Sequence, residues 1–371
     1  MRRTDHGFSL LETVIATGLT MTVVAGAFAM LHPAQGAFAT ELESADMQQR
    51  LRVGVDTLTR DLVTAGAGAY AGGHTGPLLH SFASVQPAGQ GITIISVPTT
   101  AAQTTLAADF LPGDLTLQAA AVPGCPAGTN LCGFTSGMTV AVYDDTGAFE
   151  TLTIAAVADA AAQVTLTSRS AVTFYKSGST VVEARVHTYY LKSDAASQTF
   201  QLMHADGSSP DVPVVDHVVG LAFEYYGEPR APALTAAGDA SYGPSPPALA
   251  VKTTAYPAGE NCVFQIDEAS GRQMSRLPAL NASTALTPLT AAQFTDGPWC
   301  PDETRANRWD ADLLRIRNVG VTIRVEAVLA ELRGPAGVLF TNGGSSQAVN
   351  RWAPDQEIHF QVSPRNLNLG R

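Results

Sequence analysis

Apolar residues run almost without interruption from Phe8 to Leu31, and Glu12 is the one charged residue among them. A helix of about 24 residues, rising ~1.5 Å per residue, is as long as the hydrocarbon core of a bilayer is thick. The segment is therefore predicted to span a membrane. Because a carboxylate inside lipid costs roughly 2.5–3.5 kcal/mol on insertion scales, Glu12 is expected to have a partner.

A second helical pattern follows the apolar segment. Pro33 interrupts the apolar run, since proline removes a backbone donor and kinks a helix. Beyond it, apolar residues recur every three or four positions, which predicts one apolar stripe: Met47, Leu51, Val55, Leu58 and Leu62. Glycines in "TAGAGAYAGG" end this helix. Asp56, Arg60 and Asp61 are interpreted as solvated helix charges.

Short apolar runs separated by turn residues replace the helical pattern after about residue 70. "GITIISV" (91–97) predicts a strand, and "TVAVYDD" with "GAFETLTIAAV" predicts a hairpin across Asp144–Gly147. "LLRIRNVGVTIRVEA" (313–327) alternates as a strand does. The predicted fold is α+β: a long N-terminal helix, half membrane-spanning and half amphipathic, packed on an antiparallel β-sheet head with an inserted β subdomain.

Composition narrows the functions that the chain can have. Of its 371 residues, 45% are hydrophobic, which supports a core, and the formal net charge is -11. An acidic chain without a Lys/Arg cluster is poorly suited to nucleic acid or to an anionic membrane surface. We therefore expect no nucleic-acid partner, and we expect the acidity to keep an exposed domain soluble.

The four cysteines lie in loop-like sequence. Cys125 and Cys132 bound "CPAGTNLC", while Cys262 and Cys300 flank a segment rich in Pro, Ser and Thr. An even number of cysteines in loops favours disulfides and an oxidising compartment. Zinc ligation and free thiols are the alternatives, and the sequence has no C-x-x-C spacing to favour zinc. Nearest-neighbour pairing would join 125 to 132 and 262 to 300.

Two simple interpretations of the N-terminal segment each leave something unexplained. A secretory signal peptide would use Arg2 and Arg3 as its basic region, but Glu12 would fall inside its apolar region, and the apolar run is too long. A plain membrane anchor fits the length and leaves the acid without a role.

The hexapeptide "GFSLLE" (7–12), behind a short basic leader, closely resembles the processing signal of type IV pilins and type II secretion pseudopilins. "QQRLRVGVDTLTRDLVTAG", the block that ends in "VVGLAFEYYG", and Arg365-Asn366 near the C-terminus are similar to PilW-like minor pilins and J-type pseudopilins. The resemblance covers the N-terminal helix and the later sheet. Residues 72–185 and 228–310 lie largely outside it.

This resemblance implies a processing route. A prepilin peptidase would cut between Gly7 and Phe8 and remove the leader, residues 1–7. Phe8 would then be N-methylated, and Glu12 would pair with the N-terminal amine of a neighbouring subunit during assembly. The expected partners are the prepilin peptidase, other minor and major pilins or pseudopilins, the inner-membrane assembly platform, and membrane lipid before assembly.

The resemblance also implies a domain plan and a location. Residues 8–66 would form the helix and 67–371 the periplasmic or extracellular head, with an inserted β subdomain at 72–185. A pilin-type sheet at 186–371 would carry a loop insertion at 228–310. The protein would cross the bacterial inner membrane once, with its head in the periplasm, and then enter a pilus or pseudopilus filament.

The sequence shows no pattern of enzyme chemistry. It has no G-x-S-x-G, P-loop or H-E-x-x-H motif, so we expect no catalytic residues, no metal site and no cofactor. The histidines, His187 and His204 among them, are interpreted as individual surface or core residues. "DDTG" (144–147) and "HADG" (204–207) are interpreted as turns, with calcium as the alternative. The tryptophans are interpreted as core anchors, with an adhesive face as the alternative: Trp299, Trp309 and Trp352.

The leading hypothesis is a minor pilin, a structural subunit of a type IV pilus that acts in its initiation or tip complex. The alternative within this class is a J-like minor pseudopilin of type II secretion. The alternative from another class is a membrane-anchored periplasmic enzyme or binding protein. An adhesin presented on a pilus tip is a further hypothesis, raised by the enlarged head.

Overall fold

The structure is a computed structural model that describes residues 9–68, 70–71, 74–75, 82–98, 101–122, 124–169, 173–194, 199–207, 210–234, 242–333 and 353–368. It divides into two compact units. The first unit comprises Met1–Leu51 and Arg324–Gln356, and the second comprises Arg52–Ile323 and Glu357–Arg371. The fold is α+β, with an N-terminal helix followed by mostly antiparallel β-sheets.

The N-terminal helix, α1 (Leu10–Thr64), has 55 residues. It is continuous through Pro33, which interrupts only the apolar run, because a missing backbone donor breaks the hydrogen-bond ladder at one position without ending the helix. Four of the five residues in the predicted apolar stripe are buried, and Val55 is half-buried. Apolar periodicity therefore located the buried face correctly.

One predicted surface charge of α1 lies in the interior. Asp56 and Arg60 are exposed, as expected of solvated charges. Asp61 is only 7% exposed, so its interpretation as a solvated charge is wrong. The reason is tertiary, since the hydroxyl of Tyr189, 128 residues further along the chain, donates to its carboxylate.

The C-terminal end of α1 is capped by the C-terminal segment of the chain. The backbone N–H of Arg365 donates to the carbonyl of Val63 (3.3 Å), and the side-chain amide of Asn366 donates to the carbonyl of Thr64 (3.3 Å). Gly66 follows with a φ of 73°, where a side chain would collide with Leu367. Helix ends leave carbonyls without partners, and these contacts satisfy two of them.

In the first unit, α1 bonds to the segment that follows β20. Glu43 accepts hydrogen bonds from the backbone N–H groups of Val328 (2.9 Å) and Leu329 (3.3 Å). The guanidinium of Arg50 donates to the carbonyl of Glu326 at 3.1 Å. These contacts tie the helix to backbone 276 or more residues away in sequence.

The strands are short and numerous. They are β1 (Tyr70–Ala71), β2 (His74–Thr75), β3 (Val85–Ala88), β4 (Gly91–Ser96), β5 (Gln103–Thr105), β6 (Thr116–Gln118), β7 (Thr139–Tyr143), β8 (Phe149–Ala158), β9 (Gln163–Leu166), β10 (Thr180–Glu183), β11 (Arg185–Asp194), β12 (Thr199–Ala205), β13 (Val212–Asp216), β14 (Val218–Gly227), β15 (Phe264–Ile266), β16 (Gln273–Ser275), β17 (Thr287–Leu289), β18 (Trp299–Cys300), β19 (Trp309–Asp310), β20 (Ile316–Val325) and β21 (Gln356–Val362). Short 3-10 helices occupy Asp159–Ala161, Ala291–Phe294, Ala311–Arg315, Ala330–Leu332 and Asn366–Asn368.

Three larger sheets form from these strands. Their orders are β5-β10-β7-β8-β9-β6, β13-β12-β11-β4-β3 and β17-β14-β20-β21. The predicted hairpin is present as the antiparallel pair β7 and β8. The six-stranded sheet has its own apolar cluster, which includes Phe110, Leu117, Val140, Ile154 and Tyr175.

The predicted subdomain boundary at 72–185 differs from the strand pairing. β3 and β4 belong to the five-stranded sheet, where Ile95 of β4 lies opposite Val186 of β11. Five of the six residues of β4 are buried, so this strand requires cover on both faces. Its place between β11 and β3 also pairs both of its backbone edges, which a position at the edge of the six-stranded sheet would not.

Residues 242–310 contain regular structure where the sequence predicts a loop insertion. β15 to β19 lie there, and Val263 and Phe264 are buried. Asn261 organises the backbone: its carbonyl oxygen accepts from the N–H groups of Val263 and Phe264, and its amide donates to the carbonyls of Pro244 and Ser245. A buried side-chain amide thus replaces hydrogen bonds that a larger sheet would supply.

Candidate functional site

The N-terminal end of α1 is closed by a reciprocal pair of hydrogen bonds. The backbone N–H of Ser9 donates to Oε2 of Glu12 (3.0 Å), and the N–H of Glu12 donates to Oγ of Ser9 (3.2 Å). This is a capping box, which starts a helix by satisfying two of its free donors. Gly7 and Phe8, the predicted cleavage and methylation positions, lie outside the described residues. Glu12 itself is exposed at the helix start.

Among the residues that the structure describes, none covers the apolar part of α1. Leu10–Met30 is long and apolar enough to cross a membrane, and none of it is buried. Leu10 and Met30, at its two ends, are 83% and 81% exposed. Such a segment fits either a membrane anchor or a signal sequence, because both need an uninterrupted apolar helix.

Hydroxyl groups in this segment bond back to the helix. Thr17 donates to the carbonyl of Thr13 (2.9 Å), Thr20 to that of Ala16 (2.7 Å) and Thr22 to that of Gly18 (2.8 Å). In lipid each polar group must find its partner inside the segment, and these threonines do. Glu12 differs from them because it carries a charge.

The four cysteines form two disulfides. Cys125 is joined to Cys132 (Cα–Cα 5.6 Å), and Cys262 is joined to Cys300 (Cα–Cα 5.1 Å). These are the nearest-neighbour pairs, and the zinc and free-thiol alternatives do not hold for these cysteines. Disulfides persist in oxidising compartments, so a location outside the cytosol is favoured.

A polar cluster that the sequence did not predict joins α1 to two strands of the five-stranded sheet. Nδ1 of His187 lies 2.7 Å from Nε2 of His204 and 3.6 Å from Oδ2 of Asp61. Tyr189 lies directly opposite His204 in the antiparallel register and donates its hydroxyl proton to Oδ2 of Asp61. The interpretation of His187 and His204 as unrelated individual residues is therefore wrong.

Strand register explains how the cluster forms. His187 and Tyr189 are two residues apart on β11, so they project from the same face. His204, opposite Tyr189 on β12, projects from that face as well. The rings stack, with centroids 4.9 Å apart for His187 and His204 and 4.8 Å apart for Tyr189 and His204. The alternation H-x-Y in "VHTYY" was the signal available in the sequence.

The environment of His187 favours its neutral form. Burial lowers the pKa of His187 and is the largest effect; nearby Asp61 and Asp206 act in the opposite direction, and nearby His204 and Arg185 lower the pKa further. A neutral imidazole has one nitrogen with a free lone pair, which can accept a proton or bind a metal.

A second cluster, of three carboxylates, is accounted for by the fold. Among the described residues, Asp296, Asp310 and Asp312 bring ligand-type oxygens together. Asp310 accepts from the N–H of Gly297 at 2.7 Å, and Asp312 pairs with buried Arg315. Burial raises the pKa of Asp310 to about 6. The carboxylates of Asp310 and Asp312 are therefore occupied by intramolecular contacts, and Asp296 is exposed.

The predicted turn at 144–147 is held by its own aspartate. Oδ1 of Asp144 accepts from the N–H groups of Thr146 (2.9 Å) and Ala148 (3.2 Å). This is the turn chemistry that the sequence indicates. His204 of "HADG" belongs to the polar cluster described above.

An aromatic groove of about 880 Å³ lies in the second unit. Its lining includes Tyr225, Phe294, Trp299 and Trp309. Trp309 is a buried anchor, with Nε1 donating to the carbonyl of Gly147 at 2.9 Å. Trp299 is half-buried, and the guanidinium of Arg308 lies 4.7 Å from its ring centre. Trp352 lies outside the described residues.

Comparisons of the chain with protein-family models, with curated proteins and with solved structures find no match.

Proposed function

We propose that this chain is a pilin-like subunit, most similar to PilW-like minor pilins, that assembles into a filament or its initiating tip complex. The observation that carries the proposal is Glu12, a charged side chain at the start of an exposed apolar helix and directly behind the sequence "GFSLL". The function is assembly, and it requires no catalytic group.

Helix α1 supports the proposal through the contrast between its two parts. Leu10–Met30 is exposed among the described residues, while Met47, Leu58 and Leu62 are fully buried. A pilin needs both features: an apolar segment that leaves lipid for contact with other helices, and an amphipathic segment that packs on the sheet of its own head. The proposed membrane location and single-pass topology follow from the same segment.

The charge on Glu12 supplies the proposed specificity. Apolar helices associate through non-directional packing. Such packing does not fix their stagger, which is the displacement of one helix along its axis relative to its neighbour. An ion pair between Glu12 and the amine that cleavage creates at Phe8 of a neighbour would fix it, because an unpaired carboxylate in an apolar environment costs several kcal/mol. The amine exists only after the leader has been removed, so processing would precede assembly.

The capping of α1 by Arg365 and Asn366 supports the family assignment independently of the N-terminus. The resemblance singled out this pair by sequence, and both residues bond to the last turn of α1. The side-chain contact gives Asn366 a structural reason to be present, whereas Arg365 bonds through its backbone N–H.

Replacement of Glu12 tests the proposal. In the native host, Glu12→Leu should leave the protein in the membrane with its leader removed, and should abolish its recovery in the sheared filament fraction. Removing the charge makes membrane insertion more favourable by roughly 2.5–3.5 kcal/mol, so lost anchoring cannot explain the defect.

Met21→Leu, a change within the same apolar segment, is the matched control and should assemble normally. A membrane-anchored enzyme or binding protein would tolerate both changes equally. Normal filament recovery of the Glu12→Leu chain would therefore reject the proposed role of the charge.

A further inference from the structure

We propose that Asp61, His187 and His204 form a zinc site, in which one carboxylate oxygen and two imidazole nitrogens bind a single Zn²⁺ and water completes the coordination. The site would link α1 to β11 and β12. It is independent of the proposed assembly function, since all three ligands belong to the second unit and Glu12 belongs to the first.

The ligand atoms are close to the spacing that zinc requires. Zn–N and Zn–O distances of ~2.0–2.1 Å place neighbouring ligands of a tetrahedral ion about 3.3 Å apart. The observed separations from Nδ1 of His187 are 2.7 Å to Nε2 of His204 and 3.6 Å to Oδ2 of Asp61. All three ligand atoms lie within 4.8 Å of one another. Relative to that spacing, the first distance would lengthen by about 0.6 Å and the second would shorten by about 0.3 Å, changes that side-chain rotation can supply.

The donor set selects the class of metal. Two imidazoles and one carboxylate suit zinc and its neighbours among the late first-row divalent ions, whereas calcium and magnesium prefer oxygen donors. Three protein ligands with one open position is a known zinc arrangement. A site with only oxygen ligands, such as the cluster of Asp296, Asp310 and Asp312, would instead favour calcium or magnesium.

The surroundings hold the ligands in a binding geometry. The hydroxyl of Tyr189 donates to Oδ2 of Asp61 and fixes the orientation of that carboxylate. The ring of Tyr189 stacks on His204 with an interplanar angle of 25°. Hydrogen bonds to metal ligands from neighbouring side chains orient them and raise affinity, and their loss typically costs about 10–100-fold.

Protons compete with a metal for these ligands, and a hydrogen bond is the alternative arrangement of the cluster. Zinc binds neutral imidazole and ionised carboxylate, so protons compete with it. Without zinc, the two facing nitrogens at 2.7 Å share one proton, and this metal-free hydrogen bond is the competing arrangement.

The test uses the untagged full-length chain in detergent, stripped with a chelator and then dialysed against ZnCl₂. One equivalent of zinc should be retained, and X-ray absorption of the zinc-loaded wild-type chain should show scattering from two imidazoles. This spectroscopic count needs no variant, so it holds even if a substitution impairs folding.

Three variants assign the ligands. His187→Gln and His204→Gln should each lose the bound equivalent, and Tyr189→Phe should weaken binding about 10–100-fold. His359→Gln is the matched control, because His359 lies in the same unit and bonds to Thr322 outside the cluster. Zinc should raise the melting temperature of the wild-type and His359→Gln chains, and should leave that of the His187→Gln and His204→Gln chains unchanged.

No retained zinc, a spectrum without two imidazoles, or undiminished binding by both the His187→Gln and His204→Gln chains would overturn the proposal. The metal-free hydrogen bond would then account for the cluster.

Discussion

Truncation of Leu58 tests whether the amphipathic part of α1 contributes to the stability of the second unit. Leu58 is fully buried on the apolar stripe of the helix. Leu58→Ala removes three carbons, worth about 0.8 kcal/mol each in lost burial, or about 2.4 kcal/mol. The cavity left behind adds to this loss, and measured costs for buried leucines are about 2.7–5.0 kcal/mol. We therefore expect the free energy of unfolding to fall by roughly 3–4 kcal/mol.

The assay is urea unfolding of the full chain in detergent, followed by hydrogen exchange of the amides in residues 52–64. Hydrogen exchange shows where stability is lost. Because the helix should open locally at residues 52–64 first, the amides there should exchange faster than those elsewhere. Val53→Ala is the matched control: Val53 lies on the same segment but is 42% exposed, so its truncation should change stability by less than about 0.5 kcal/mol. Equal effects of the two substitutions would refute the reasoning.

The remaining predictions concern the second unit. Replacing both Cys262 and Cys300 with Ser should cost about 4 kcal/mol, the chain-entropy value for their separation of 38 residues, as measured by urea unfolding. Burial raises the pKa of Asp310 from 3.8 to about 6, so its stabilising contribution is complete below about pH 4 and is lost as the pH rises through 6. A pH series should show that Asp310→Asn removes about 2–3 kcal/mol of this dependence. Gly54→Val should lower the melting temperature, because a Cβ at Gly54 would lie 3.1 Å from Cδ1 of Ile323, and overpacking costs about 1–3 kcal/mol.

Local pattern was enough to predict much of the secondary structure. The spacing of three and four residues identified the buried stripe of α1, because helical geometry places such residues on one face. The hairpin of β7 and β8 followed from an Asp- and Gly-containing turn between alternating strands. These features depend only on neighbours in sequence, so they can be read without knowledge of the fold.

Long-range contacts explain what the sequence did not predict. Asp61 follows Arg60 on a helix and has the local appearance of a surface charge, but a tyrosine on β11 makes it an interior residue. His187 and His204 are separated by 17 positions and meet only through the register of β11 and β12. Register is set by the whole sheet, so single-sequence reasoning treated these residues as unrelated.

The segment predicted to be a loop insertion has more regular structure than its composition indicates. Its Pro, Ser and Gly content favours irregular chain, and the prediction gave no weight to Asn261. That one buried amide bonds to four backbone groups, and the Cys262–Cys300 disulfide lies beside it. Composition describes the average tendency of a segment to form regular structure. It does not reveal that one residue, Asn261, holds the backbone in place.

The N-terminus of the mature chain tests the central claim most directly. Peptide mass spectrometry of the protein from its native membrane fraction, with and without its prepilin peptidase, measures where the chain begins. The pilin-like account predicts a chain that starts at N-methylated Phe8 and depends on the peptidase. An intact chain starting at Met1, or a cut near Ala39, would contradict it and return the segment to a plain anchor or an ordinary signal peptide.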